Sequence, residues 1–137
     1  MLTLNSITTS KARLILAENN LLKIYIKENA ELEKEDIIAI NEAKEILAQG
    51  NKYCVVFVPP NNGFISKEAR DFSASELVYK NAIAKAIIIK NVSQRLIGNF
   101  FINFNRPPAP TKLFHNEEEA IKWLEEMTAK NNLHRKN

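Results

Sequence analysis

The sequence predicts an α/β fold with a mixed, mostly parallel β-sheet and an N-terminal antiparallel hairpin. Strand-like apolar segments alternate with amphipathic helical segments along the chain, and Asn19-Asn20 separates the first two strand-like segments. Two further segments are unbroken apolar runs, which is typical of strands covered on both faces. Strands that alternate with helices require right-handed crossovers and a largely parallel sheet. The predicted element order is β-β-α-β-α-β-α-β-α.

The first two strands form the hairpin. Residues 13–18 and 21–27 flank Asn19-Asn20, and asparagine tolerates the positive φ that a tight hairpin turn needs. Apolar and polar side chains alternate over residues 22–27, the pattern of a strand with one face in water.

A helix and a buried strand follow. Residues 33–49 predict a helix with one apolar stripe, and Gly50 is well placed to end it. Residues 53–58 predict a strand that is covered on both faces. The composition of residues 59–63, two prolines, two asparagines and a glycine, predicts a loop.

The alternation then repeats. Ser66 is a candidate N-cap for a helix that extends to about Tyr79, and residues 84–90 predict a second buried strand. Asn91 caps the next predicted helix, with Gln94 completing a pair that resembles a capping box. That helix is predicted to end near residue 105, because the prolines that follow disfavour helical geometry in the residues before them.

The last predicted elements are a short strand over residues 111–115 and a helix capped by Asn116. Three glutamates begin that helix, where the helix dipole favours negative charge. We expect a single domain over residues 1–137, with an ordered core of about 12–130 and a frayed tail over 131–137.

Composition narrows the class of protein. The chain has 137 residues, of which 45% are hydrophobic and 26% charged, within the range of globular domains. It contains no apolar run of the roughly 20 residues that a membrane helix needs, and the N-terminus does not resemble a signal peptide, so we expect a cytoplasmic protein without membrane insertion. Cys54 is the only cysteine, and neither it nor the two histidines show the spacing of zinc ligands. We therefore expect no disulfide, no metal site and no cofactor.

Charge is segregated along the chain. Acidic residues dominate positions 28–45, whereas positions 77–116 contain none, and six lysines and arginines accumulate there. This pattern favours a weakly basic face that steers anionic partners. The basic residues are dispersed and no aromatic platform lies among them, so we expect no nucleic-acid binding.

Residues 84–126 resemble the C-terminal half of bacterial STAS-like domains, the anti-sigma-factor-antagonist fold, and particularly the SpoIIAA-like branch. The shared features are a strand that begins with alanine and apolar residues, a last strand with Lys112-Leu113-Phe114, and an acidic helix with Ala120 and Trp123-Leu124. The element order extends the resemblance over about residues 14–130. The resemblance implies a regulatory module that binds other proteins.

Ser66 has two interpretations. Signalling STAS domains carry a serine at the start of the corresponding helix, usually preceded by aspartate, and its phosphorylation controls partner binding. Here Ile65 takes the place of that aspartate, and the glycine that usually follows the serine is absent. Ser66 is therefore a candidate phospho-switch by resemblance, or simply an N-cap by position.

The predicted helix from residue 92 to 105 carries more apolar surface than packing on a sheet requires. Val92, Leu96, Phe100 and Phe104 form one line on it, which Ile97 and Phe101 widen, while Ile102 faces the opposite way. The excess is core covered by loops or by a neighbouring helix, a dimer or partner surface, or the wall of a small hydrophobic pocket. We expect Phe101 or Ile102 to contribute to self-association. The candidate partner or ligand surface comprises Asn61, Asn62, Phe64, Lys67, Ile97, Phe101 and Ile102.

No catalytic motif accompanies these candidates, and three glycines are too few for a phosphate-binding glycine loop. We expect a non-enzymatic binding or regulatory module that acts through protein–protein interaction, as a homodimer or with another protein. The alternative is a carrier or sensor of a small lipophilic ligand, held beside the phenylalanine-rich helix.

Overall fold

The computed structural model describes residues 5–135, which form the predicted α/β fold. The strands are β1 (Ser6–Thr8), β2 (Ala12–Ala17), β3 (Leu21–Ile26), β4 (Glu31–Leu32), β5 (Tyr53–Val58), β6 (Phe64–Ile65), β7 (Ala82–Ile88) and β8 (Thr111–Phe114). The helices are α1 (Lys34–Ala48), α2 (Lys67–Ser73), α3 (Glu76–Tyr79), α4 (Val92–Phe100) and α5 (Glu117–Arg135). The predicted fold class is confirmed.

The main sheet has six strands in the order β1-β2-β3-β5-β7-β8. Strands β1 to β3 are antiparallel to one another, whereas β3, β5, β7 and β8 are parallel. The hairpin between β2 and β3 turns at Asn19 and Asn20, whose φ angles are 61° and 55°. The predicted asparagine turn is therefore confirmed, and it is a short 3₁₀ turn over Glu18–Asn20.

Helices cover both faces of the sheet. Helices α1, α2 and α3 pack on one face, where Leu14, Leu22 and Val55 meet Leu47 of α1 in the larger core. Helix α5 covers the other face. Its Ala120 and Leu124 are fully buried against β5 and β7.

Helix α1 begins and ends much as its sequence predicts. Glu33 caps its N-terminus in a capping box with Asp36, whose carboxylate accepts the Glu33 N–H at 2.9 Å. The chain leaves the helix through Gln49 and Gly50, which both have positive φ. Gly50 adopts this conformation without the strain that a side chain would add.

Three short features were absent from the prediction. Strand β1 adds an edge to the sheet, and β4 pairs with β6 in a separate two-stranded parallel sheet. The helix predicted from Ser66 to Tyr79 is divided into α2 and α3. The division occurs because Ser75 caps a new helix, its hydroxyl accepting the Val78 N–H at 3.3 Å.

Helix α5 extends from Glu117 to Arg135, into the segment 131–137 that the sequence analysis describes as a tail. Residues 136–137 of the predicted tail lie outside the described residues.

Candidate functional site

Helix α4 exposes the line of apolar side chains that the sequence singles out. Val92, Leu96, Phe100 and Phe104, here called the α4 ridge, are 61%, 64%, 48% and 73% exposed. Phe104 lies in the π-helical turn that continues α4, and its ring stacks on that of Phe100 with 4.5 Å between the centroids. Within residues 5–135, therefore, no loop or neighbouring helix covers this apolar excess.

A glycine decides which face of α4 meets the sheet. Gly98 is buried, and a Cβ atom there would lie 2.8 Å from Leu113 Cδ2 in β8. Because of this close approach, the side of α4 that carries Gly98 and Phe101 faces the sheet. The α4 ridge is consequently turned away from the sheet.

The N-terminus of α4 is tied to the loop that follows β5. Asn91 caps it as predicted, its side-chain oxygen accepting the Gln94 N–H at 2.9 Å. The Gln94 side chain accepts the Lys90 N–H rather than that of Asn91, and donates to the Pro60 carbonyl at 2.7 Å. These bonds hold α4 beside the 59–63 loop.

The structure moves two predicted surface residues inward. Phe101 is only 5% exposed and Ile102 is half-buried against the larger core, so neither presents the outward apolar face expected of it. The physical reason is the Gly98 contact, which rotates this side of the helix toward the sheet. The outward apolar residues are those of the α4 ridge.

Behind α4 lies a cavity of about 140 Å³. Its walls come from β3, β5, β7, α2, α4 and the small β4–β6 sheet. Apolar side chains dominate these walls, including Ile26, Leu32, Phe57, Ile87, Ile97 and Phe101. Phe101 therefore lines this cavity and is not part of an exposed face.

Lys85 is the unusual residue of this cavity. Its ammonium lies 5.2 Å, 5.7 Å and 5.4 Å from the ring centroids of Phe57, Tyr79 and Phe101. Part of the side chain remains accessible, and it contributes to the cavity wall. Among the described residues no carboxylate lies within 4.0 Å of this ammonium. Lys85 is thus a cation held by aromatic rings without an anionic partner.

A second lysine, which is buried, lies nearby. Lys44 of α1 donates to the Val78 carbonyl at 3.1 Å, and its ammonium lies 5.5 Å from the Tyr53 ring centroid. Burial lowers the pKa of Lys44 to about 8. Burial, and next the charge of Lys44, lower the pKa of Lys85 from its ordinary value of 10.5 to about 7. Lys85 therefore changes charge near neutral pH.

Three other polar side chains line the cavity. Arg70 Nη1 donates to the Ile65 carbonyl at 2.9 Å, and the Ser73 hydroxyl donates to the Ala69 carbonyl at 2.8 Å. Gln94 is the third. No aspartate or glutamate is among the described residues that line the cavity, so all of its formal charge is positive.

The predicted residues near the 59–63 loop are only partly brought together. Phe64 is 60% exposed and borders the cavity, as does the partly exposed Ile97. The backbone N–H groups of Asn61 and Asn62 instead donate to the Glu28 carboxylate, at 3.1 Å and 2.6 Å. That carboxylate holds the loop against the turn after β3.

Lys67 and Ser66 begin α2 and have structural partners. Lys67 is exposed and forms an ion pair with Asp71 at 2.8 Å, one helical turn away. Ser66 is 7% exposed, and its hydroxyl accepts the Ala69 N–H at 3.1 Å. This geometry is that of an N-cap, and it leaves little of the hydroxyl accessible to a kinase.

The sequence analysis missed Lys85 and Arg70 as site residues. It counted Lys85 only as part of a dispersed basic stretch. A usable signal existed, since a single lysine stands among alanines and isoleucines over residues 82–89, in a strand predicted to be covered on both faces. A lysine at such a position needs a special environment.

Comparison with known proteins identifies a family but no activity. A family model described as Domain of unknown function (DUF7793) matches residues 15–128, and the chain belongs to this family. The matched segment extends from β2 to α5, so it includes the cavity and α4. No curated protein and no solved structure matches the chain.

No helix within residues 5–135 is long and apolar enough to cross a membrane. Over the same part of the chain, no group of three or more histidine, cysteine, aspartate or glutamate side chains is arranged to hold a metal ion.

Proposed function

We propose that this protein is a non-enzymatic, STAS-like binding module that acts through protein–protein interaction, and that a second copy of the chain docks on the α4 ridge. The observation that carries the proposal is the ridge itself. It places four large apolar side chains on one exposed helix face, two of them stacked phenylalanines. Contiguous exposed apolar surface of this kind marks interaction sites, and phenylalanine is enriched at interface cores.

The spacing of the ridge suits a two-fold contact. Its members are four residues apart along the helix, so they form one continuous row. An antiparallel pairing of two such rows brings Leu96 of one copy opposite Phe100 of the other, and Phe104 opposite Val92. Such a self-complementary contact is what a homodimer with two-fold symmetry requires.

The STAS-like assignment is supported by the resemblance of residues 84–126 and by the arrangement of elements. An antiparallel hairpin enters a sheet whose later strands are parallel and are separated by helices. The proposed regulatory role rests on this assignment. The phospho-switch at Ser66 is not included, because the buried N-cap geometry accounts for that serine.

Native mass spectrometry over a range of protein concentrations tests the dimer. We expect a reversible dimer for the wild type, and monomers for Leu96→Asp and Phe104→Asp with thermal stability nearly unchanged, because both side chains are mostly in solvent. Ile46→Asp is the matched control, since Ile46 is 58% exposed on α1 and lies off the ridge. A wild type that stays monomeric at every concentration contradicts the proposal, as does a dimer that survives both ridge substitutions.

A second candidate function is the binding of a small lipophilic ligand, and the cavity behind α4 specifically favours it. Apolar cavities of about 150 Å³ accept molecules the size of benzene. Titration with n-hexanol, followed by amide NMR, is expected to shift Ile87, Ile97 and Phe101. Shifts that are absent, or that are spread over the surface, contradict this function.

A further inference from the structure

The cavity behind α4 combines apolar walls with positive charge. Arg70 and Lys85 both line it, and no acidic residue does so among those the structure describes. Apolar walls alone accept neutral lipophiles. Because two cations line the cavity and no carboxylate does so, the cavity favours a ligand with a negative charge at one end.

The neighbours of Lys85 leave its ammonium without an anionic partner. Phe57, Tyr79 and Phe101 surround its ammonium at 5.2 Å to 5.7 Å, and their π faces compensate only part of the hydration that burial removes. Lys85 is partly buried, and charges removed from water are ordinarily paired. The neighbouring cation Lys44 has a carbonyl partner of its own, on Val78, and adds repulsion rather than relief. An anion that enters through the cavity would provide the missing partner.

We propose that the cavity binds a small monocarboxylate with an apolar body, whose carboxylate pairs with Lys85 while the body lies against the isoleucine and phenylalanine walls. The inference rests on the second candidate function, that the cavity is a ligand site, and adds the chemical class of the ligand. It concerns a different surface from the α4 ridge, although α4 carries both.

Size limits the ligand. A cavity of about 140 Å³ is comparable to one that holds benzene, so the apolar body is a phenyl ring or a chain of about six carbons. A longer chain would have to leave through the cavity mouth, beside the exposed Phe64.

A carboxylate suits the site better than a phosphate. The lining offers two cations, and one nitrogen of Arg70 is already bonded to the Ile65 carbonyl. A phosphate monoester carries close to two charges and several acceptor oxygens, and desolvating it among these apolar walls costs more than the cavity returns. A monocarboxylate has one charge to match one ammonium.

Binding is expected to depend on pH. The charged and titratable groups close to Lys85 are Lys44 from α1 and Tyr79 from α3, and Arg70 from α2 lines the same cavity. All except Tyr79 are cations, and the Tyr79 hydroxyl is paired with Thr111. A bound carboxylate stabilises charged Lys85 and so raises its pKa above about 7. Above neutral pH, binding must therefore take up a proton.

The test compares acids with their amides on the wild-type protein. Hexanoate, phenylacetate, hexanamide and phenylacetamide are each titrated into the protein. The shifts of the protein's backbone N–H signals in NMR spectra give the affinity of each compound. At about pH 6 we expect each acid to bind about tenfold or more tightly than its amide. As the pH rises above about 7, the affinity of the acids should fall by up to about tenfold per unit, while that of the amides stays constant.

Two variants sharpen the comparison. Lys85→Met keeps the length of the side chain and removes the charge, and it should abolish the preference for acids while retaining amide binding. Lys112→Met is the matched control, because Lys112 is exposed and its ammonium lies over Phe114 and Trp123, away from the cavity. It should leave both affinities unchanged.

The outcomes separate the inference from the function on which it rests. Amides that bind as tightly as acids overturn the monocarboxylate inference and leave the lipophilic-ligand function standing. Failure of all four compounds to bind overturns both. These results come from the wild type, so they do not depend on whether Lys85→Met folds. An acid preference that survives in Lys85→Met also overturns the role of Lys85.

Discussion

Helices α4 and α5 both carry an apolar stripe in the sequence, yet α5 buries its stripe and α4 exposes most of its own. In α5 the small residue that approaches the sheet, Ala120, lies on the same stripe as Leu124, and both are fully buried. In α4 the small residue is Gly98, which lies off the line formed by Val92, Leu96, Phe100 and Phe104. In both helices the side that carries the small residue packs on the sheet, although in α4 another side carries the row of large apolar residues.

This difference also places the cavity. Beneath α5 the sheet face is filled by Ala84, Ala86 and the helix side chains that pack on them. Beneath α4 the sheet presents Lys85 and Ile87, and the helix contributes Gln94, Ile97, Gly98 and Phe101. The cavity therefore lies on the sheet face that presents Lys85 and Ile87, whereas Ala84 and Ala86 of the same strand face α5.

The largest expected effect contrasts the two stripes directly. Leu124→Ala should lower the free energy of unfolding by about 3 kcal/mol, because it empties a fully buried site in α5. Leu96→Ala, on the exposed ridge, should change it by less than about 0.5 kcal/mol. Urea unfolding of both variants measures the contrast, and similar losses for the two would contradict it.

The next largest effect concerns the contact between Gly98 of α4 and Leu113 of β8. Gly98→Leu should lower the free energy of unfolding by about 2 kcal/mol, since the new side chain occupies the space of Leu113. Leu113→Ala in the same chain should restore part of that loss, and a double-mutant cycle in urea measures the coupling. If the changes in the free energy of unfolding are simply additive, the contact between Gly98 and Leu113 does not position the helix.

Lys85 gives a third, pH-dependent effect. Its folded-state pKa of about 7 is below the ordinary value of 10.5, so the unfolded state binds more protons between these values. Wild-type stability should therefore rise with pH over that range, relative to a chain without this lysine. Lys85→Met should raise the free energy of unfolding by about 2 kcal/mol at about pH 6, and by less at about pH 9.

Thermal or urea unfolding at the two pH values checks this prediction. Lys112 is an exposed residue of β8 whose ammonium lies over Phe114 and Trp123. Lys112→Met should therefore change the free energy of unfolding by less than about 0.5 kcal/mol at either pH. A gain for Lys85→Met that does not diminish with rising pH would contradict the depressed pKa.

Much of the fold was predictable because its signals are local. The asparagine turn at Asn19-Asn20 and the caps at Ser66 and Asn91 depend on side chains within a few residues of the backbone groups they serve. The buried strand β5 was visible from its unbroken apolar run. The β4–β6 sheet was not predictable in this way, since strands of two residues carry no periodicity.

The candidate site was less predictable because it depends on distant contacts. Phe101 and Ile102 were assigned to the surface on periodicity alone, which does not reveal which side Gly98 seats on Leu113. The sequence pattern places Lys85 only in a dispersed basic stretch, whereas its aromatic neighbours come from α3, β5 and the turn after α4. Only the tertiary structure brings these segments to one ammonium.

The central claim is that the exposed stripe of α4 is a contact between copies, whereas the buried stripe of α5 is core. The most direct test mixes ¹³C-labelled and unlabelled protein and records only the NOEs between copies. The account predicts intermolecular NOEs from the Leu96 methyl groups to the Phe100 ring, and none that involve Leu124. Intermolecular NOEs confined to another surface, or none at concentrations suited to NMR, would contradict it.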